Sequence, residues 1–259
     1  VFSFDGMDNL KAVLTGFAPE GTNIAQYRYE NDDPVQLSRI TNNNVGAGYP
    51  AEITLEYDLD GNLTRDEVSR SLKYDALGRL IEVGTQPSGS HYRYDPLDTL
   101  SAQTRGDEQD RRFYRDGELA NQIRGSQNST FIRGGDTLLA ERQTGTETAT
   151  LLLGIDDNNS VLREVSDSTT HTSAYSAYGY RSGPAPAVGK LGFNGELAEA
   201  DSGWQLLGNG YRAYNPLLMR FHSPDSESPF GEGGVNSYAY CEGDPVNFTD
   251  PTGHSIGGA

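Results

Sequence analysis

Tyr74-Asp-Ala-Leu-Gly-Arg-Leu80 sets the period of this chain, because its pattern returns on both sides. Tyr57-Asp-Leu-Asp-Gly-Asn-Leu63 precedes it; Tyr94-Asp-Pro-Leu-Asp-Thr-Leu100 and Tyr114-Arg-Asp-Gly-Glu-Leu119 follow, so the tyrosines lie 17, 20 and 20 residues apart. Looser copies stand at Phe4-Asp-Gly-Met-Asp-Asn-Leu10 and Tyr29-Glu-Asn-Asp-Asp-Pro-Val-Gln-Leu37, and degraded ones at Ile132–Leu138 and Gly154–Val161. In each unit an aromatic residue closes one strand. Asp and Gly then form a turn, the carboxylate bonding nearby backbone N–H groups and Gly accepting a positive φ. Leu opens the next strand. Between turns the residues alternate, as in Ser71-Leu-Lys-Tyr74, which is the period of a strand with one apolar face. A period near twenty residues holds two strands and two turns. The fold class expected is therefore all-β: an antiparallel ribbon of hairpins, each unit stacked on its neighbours. The repeated Tyr, Asp and Gly are scaffold on this reading.

Composition agrees. Of 259 residues only 35% are apolar, with 31 glycines and 15 tyrosines, which suits thin β-structure and argues against a helical bundle. The net charge of −17 makes nucleic acid and anionic membranes poor partners. No stretch approaches the roughly 20 apolar residues that span a bilayer, and Val1-Phe-Ser-Phe-Asp5 has no signal-peptide character. Val1 reads as the middle of a pattern, so a fragment or processed piece of a longer protein is expected. The single cysteine, Cys241, allows no internal disulfide; in Tyr-Ala-Tyr-Cys it reads as a small buried strand residue. The four histidines show no metal-ligand spacing, and the Asp-rich turns lack EF-hand order, so neither a metal nor another cofactor is expected.

The last fifty residues differ in kind. They contain Leu207-Gly-Asn-Gly-Tyr-Arg-Ala-Tyr-Asn-Pro216, then Arg220-Phe-His-Ser-Pro-Asp225, then Asp250-Pro-Thr-Gly253. Two aspartates sit in Pro/Gly-rich turns, where Asp ordinarily caps backbone N–H groups. A pair of carboxylates can also activate water without a cofactor, and the chain's own nearby backbone is then a candidate substrate. Both readings stand on the residues alone.

The unit at Tyr74 resembles the YD repeat of Rhs (rearrangement-hotspot) proteins, and the stretch from Gly192-Phe-Asn-Gly-Glu196 to Gly253 resembles the Rhs-associated core that ends such arrays. Together they cover nearly the whole chain, residues about 120–190 being the least clear. The resemblance implies a β-ribbon coiled into a shell, spanning about 1–190. It implies a core spiralling inward as a plug over about 191–254, and the start of a linker at 255–259. It implies that the shell encloses a C-terminal toxin domain and that the core, a self-cleaving aspartyl endopeptidase without activity on outside substrates, cuts just beyond Asp-Pro-x-Gly. Position by position, the dyad falls on Asp225 and Asp250, the family arginine on Arg212, and the cut on Gly253, His254 and Ser255. The implied partners are the chain's own toxin domain and either a B-type shell subunit of a toxin complex or a secretion-system spike; the implied location is secreted or delivered. Two departures stand out. The first site reads Asp225-Ser-Glu-Ser-Pro-Phe-Gly231 where the family commonly repeats Asp-Pro-x-Gly, and His254 stands where Leu is common. The alternative is a non-catalytic structural module with a degenerate core, binding a partner or glycan through exposed tyrosines. Arg220 is weighed as a second basic contact to the dyad against a structural ion pair.

Overall fold

The computed structural model describes residues 1–17, 21–45, 49–85, 88–182, 188–254 and 257–258. Its repeat units are built as their composition dictates. In each YD turn the Asp Oδ1 accepts the amides two and four residues on: Asp75 from Leu77 at 2.9 Å and Arg79 at 3.1 Å, Asp95 from Leu97 at 2.8 Å and Thr99 at 3.0 Å. The residue three past the Asp is left-handed, with φ of 86° at Gly61, 75° at Gly78 and 63° at Asp98. Asp66 forms the same turn although Arg65 stands where a tyrosine would signal it. The tyrosine hydroxyl donates to the carbonyl of the Leu that ends the preceding unit, Tyr57 to Leu37, Tyr94 to Leu80 and Tyr114 to Leu100, at 2.9–3.0 Å. Those leucines are buried, so one residue pair ties the turns and the core together.

The strands follow one another without crossovers. A five-stranded antiparallel sheet runs β1 (Phe2–Phe4), β2 (Leu10–Phe17), β3 (Gly21–Arg28), β4 (Arg39–Asn42) and β5 (Glu52–Thr54). The hairpin β6 (Glu56–Tyr57) and β7 (Leu63–Arg65) follows. Eleven strands then pair in sequence order: β8 (Leu72–Tyr74), β9 (Leu80–Val83), β10 (Ser90–Tyr94), β11 (Leu100–Arg105), β12 (Glu108–Arg115), β13 (Glu118–Arg124), β14 (Gln127–Gly134), β15 (Thr137–Thr144), β16 (Ala149–Ile155), β17 (Val161–Val165) and β18 (Thr170–Thr172). The register slips at Glu56/Tyr57, Lys73/Tyr74, Arg93/Tyr94 and Phe113/Tyr114. A bulge at the repeat tyrosine bends its strand and increases the local twist, and its recurrence gives the ribbon its coil.

Beyond the pair β19 (Ala174–Tyr175) and β20 (Arg181–Ser182), the chain turns into short pieces. The strands β21 (Gln205–Leu206), β22 (Arg212–Asn215) and β23 (Arg220–Phe221) form a small sheet against the inner face of the ribbon. Trp204, Leu206 and Leu218 join the repeat leucines Leu10, Leu37, Leu63, Leu80 and Leu100 in one core. Polar contacts bridge the same join: Leu63 N–H donates to the His222 carbonyl at 2.8 Å, Tyr238 Oη to the Gly61 carbonyl at 2.7 Å, and buried Arg112 to Glu199 at 2.5 Å. Tyr27, Tyr92, Tyr178, Tyr214, Tyr238 and Tyr240 are buried and serve the interior, while Tyr180, Phe113 and Phe230 stand exposed. Cys241 is buried in a 3-10 turn, Cys241–Gly243, where the sequence suggests a strand, and its Sγ–H meets the Phe248 carbonyl.

His222 gives this join a pH dependence. Its ring lies edge-on to Trp204 with centroids 4.3 Å apart, and Asn215 Nδ2 lies 3.1 Å from its Nε2. Burial, with Arg70 nearby, lowers its pKa from 6.5 to about 3. In the unfolded chain the imidazole takes up a proton below pH 6.5; in the folded chain it stays neutral down to about 3. The unfolded state therefore binds more protons in this window, and stability, complete above pH 6.5, falls as the pH drops through it. By about pH 5 the loss is about 2 kcal/mol. Urea unfolding near pH 7.5 and pH 5 will show the parent chain losing about 2 kcal/mol relative to His222→Gln between the two pH values, the other titrating groups, buried Glu196 among them, being common to both; equal pH dependence in both would remove the assignment.

Candidate active site

Three segments far apart in sequence meet in the plug. Arg212 opens β22, all four of whose residues are buried. Asp225 follows β23 after Ser223-Pro224. Asp250 follows β24 (Phe248–Thr249), which pairs with β25 (Gly257–Gly258). Arg212 Nη2 lies 2.8 Å from Asp225 Oδ2 and 3.6 Å from Asp250 Oδ2, and the three side chains are 1–4% exposed. Its Nη1 donates to the Ser237 carbonyl at 3.0 Å and its Nε to the Gly253 carbonyl, while the guanidinium carbon sits 3.7 Å above the Phe221 ring. One cation thus spans both carboxylates and the carbonyl of the Gly253–His254 peptide bond.

The two aspartates have different surroundings. Asp225 Oδ2 accepts Arg212, and its Oδ1 accepts the Glu227 amide at 2.9 Å and lies 3.2 Å from His254 Nδ1. Asp225 sits in a turn of the repeat type, with Ser228 N–H closing on its carbonyl at 3.2 Å as Gly78 N–H closes on Asp75 at 3.0 Å. Asp250 is pushed above the ordinary carboxylate pKa, chiefly by burial; Arg212, the Gly253 amide and the Thr252 hydroxyl pull it down, and Asp225 adds to the rise. Burial also lowers the Arg212 pKa, but a guanidinium remains charged in proteins. Two carboxylates facing one buried cation are balanced when one of them holds a proton.

The loop carrying Gly253 is held from beneath. Gly208, at φ 61°, donates its N–H to the Pro251 carbonyl at 3.0 Å, and a Cβ there would overlap the Thr252 carbonyl oxygen. The Tyr211 ring stacks on His254 with centroids 3.7 Å apart, and its hydroxyl meets Ser226 Oγ at 3.0 Å. Arg220 stays apart from the dyad: it donates to the Val35 carbonyl at 2.7 Å and to Tyr29 Oη at 3.2 Å, between the Tyr29 and Tyr238 rings, so its role is structural through hydrogen bonds. Ser255 lies outside the described residues.

The sequence profile of the Teneurin YD-shell family matches residues 5–244. The chain belongs to that family. No curated protein matches it. Among solved structures, this YD-shell chain is similar to a chain of the TcdB2-TccC3-Cdc42 crystal structure, at 13% identity and a TM-score of 0.66, covering 98% of this chain and 15% of that one. It is likewise similar to a chain of the Photorhabdus luminescens Tc holotoxin pore with a mutated TccC3, at 14% identity and a TM-score of 0.65, covering 100% and 15%. At these identities the likeness is one of fold, and the YD-shell chain spans about a seventh of each neighbour's length.

Several residues of the YD-shell site carry no signal in the repeat pattern. Tyr211, Phe221 and Thr252 lie inside the quoted motifs and could have been suspected from them; Ser237 reaches the site through the path of the chain alone. A cleft of about 710 Å³ borders the site, lined by Tyr211, Pro251, Thr252 and His254 on one side and by Glu196 and Leu119 among others on the other. Pro251 and Thr252 of this loop are exposed.

Proposed function

We propose that this chain is the end of a YD shell that cuts its own backbone between Gly253 and His254. The supporting observation is the triple reach of Arg212 to Asp225, Asp250 and the Gly253 carbonyl. Asp225, whose Oδ2 accepts from Arg212 and whose Oδ1 accepts from the Glu227 amide, takes a proton from the attacking water. Asp250, whose pKa burial raises, is the protonated partner and serves as the acid. Arg212 Nε already donates to the oxygen on which negative charge develops, so its stabilising contact exists before the reaction begins.

In the longer protein the shell, about residues 1–190, encloses a C-terminal toxin, the plug over about 191–254 closes one end, and residues 255–259 begin the linker. The toxin region is the chain's own partner. The fold shared with chains of Tc toxin assemblies supports a toxin-complex shell subunit as the second partner, with a secretion-system spike as the other delivery route, and a secreted or delivered location. Among the described residues no helix is long and apolar enough to cross a membrane.

Expressed with its natural sequence extended past Ala259, the protein will appear by intact-mass spectrometry as two pieces, the second beginning at His254. A homogeneous uncut chain would sink the reading.

A further inference from the structure

We infer that Thr252 is a catalytic residue of this site, relaying a proton from Asp250 to the nitrogen of the breaking bond. The inference rests on the self-cleavage reading and adds a residue to it. The observation is a pair of contacts: the His254 backbone N–H donates to Thr252 Oγ1 at 3.2 Å, and Thr252 Oγ1–H donates to Asp250 Oδ1 at 3.3 Å. The His254 nitrogen is the one that must leave. The Thr252 hydroxyl therefore stands between the buried acid and the leaving group, within hydrogen-bond reach of each.

Geometry requires such an intermediary. Both Asp250 oxygens are committed, Oδ2 toward Arg212 and Oδ1 toward Thr252. Arg212 occupies the carbonyl side of the bond and, as a permanent cation, is no proton source at neutral pH. The His254 imidazole is engaged with Asp225 and stacked on Tyr211. A hydroxyl can accept and donate at once, so Thr252 can pass a proton without carrying charge.

The step balances. Water adds through oxygen to the Gly253 carbonyl carbon and gives a proton to Asp225, and the carbonyl electron pair moves to the oxygen facing Arg212. On collapse that pair re-forms the C=O bond and the C–N bond breaks. Once the carbon is tetrahedral the nitrogen has a free lone pair; the Thr252 hydroxyl turns from Asp250 to donate to it, and protonated Asp250 donates to Thr252 Oγ1 in turn. The nitrogen then takes the Thr252 hydroxyl proton as Thr252 takes the Asp250 proton. Asp225 ends protonated, Asp250 ionised, Thr252 unchanged, and the products are a carboxyl group at Gly253 and an amine at His254.

The test compares self-cleavage rates of the extended chain carrying Thr252, Thr252→Ser, Thr252→Val and Thr252→Ala. Valine keeps the shape and removes the hydroxyl, so the cut should slow at least about tenfold; alanine, the smaller change, should slow it similarly. Serine should restore the rate to within about twofold. With the relay gone, protonation must come from outside, so the rate of the Val and Ala chains should rise with the concentration of buffer acid at fixed pH while that of the parent does not. Urea unfolding reports whether each variant is folded. Parental rates in folded Val or Ala chains, a slow Ser chain, or slow variants indifferent to buffer acid would overturn the relay alone. An uncut parent would overturn the self-cleavage reading together with it.

Discussion

Asp225→Asn will leave the extended chain uncut over a period in which the parent is fully processed, a loss on the order of 1,000-fold. The substitution keeps the shape of the side chain. Its amide oxygen can still face Arg212, whose Nη2 lies 2.8 Å from Asp225 Oδ2, and Phe221 still supports the guanidinium. What is lost is the negative charge that accepts the water proton. Asp250→Asn should cost a similar factor for a different reason, since its amide holds no transferable acid proton. Appearance of the fragment beginning at His254, followed in time, measures both. Were each variant processed at the parental rate with the fold intact, the two carboxylates would be turn caps only.

Gly208→Ala should slow the same cut by about 100-fold without touching any reacting group. Gly208 holds a left-handed φ of 61°, which costs about 1–3 kcal/mol for other residues. Its added Cβ would also overlap the Thr252 carbonyl oxygen, inside the loop that presents Gly253. The loop must move, and a shift near 1 Å in the reacting carbonyl removes its alignment with Arg212 and the dyad. Unfolding midpoint and cleavage rate measured together separate the two effects: a folded but slow chain is expected. A folded chain cutting at the parental rate would show that Gly208 does not position the loop.

Much of the ribbon is written in short-range chemistry. Asp75 and Asp95 bond amides two and four residues away, and these contacts can be read from spacing. The unit at Asp66 is hidden because its turn needs only the Asp and a left-handed residue, here Ser69 at φ 65°, whereas the pattern is easiest to see through its tyrosine. The pairing order follows from uninterrupted hairpins. The curl does not, since it depends on a register slip at each tyrosine that leaves no mark in the alternation of residues. At the site, family motifs point to Asp225, Asp250 and Arg212. They give neither the reach of Arg212 to the Gly253 carbonyl nor the stacking of Tyr211 on His254, because both depend on how β22 and the hairpin of β24 and β25 meet.

The turn at Asp225 has an evolutionary consequence. In the repeats, the residue four past the Asp fills its carboxylate: the Arg79 amide bonds Oδ1, and the Arg79 guanidinium bonds Oδ2. At Asp225 that position is Pro229, which has no N–H to give. The carboxylate keeps the orientation that the turn imposes and the Glu227 amide two residues on, but it lacks the donors four residues on, and Arg212 and His254 approach it instead. On the proposed mechanism, a reactive carboxylate arises in such an array by subtraction. The turns at Asp58, Asp66, Asp75 and Asp95 each carry an aspartate already aimed and held, and loss of one neighbouring donor frees such a residue for a distant partner. Tandem duplication of a structural turn thus supplies raw material for new chemistry at the ends of the array, where an incoming segment can answer the vacancy.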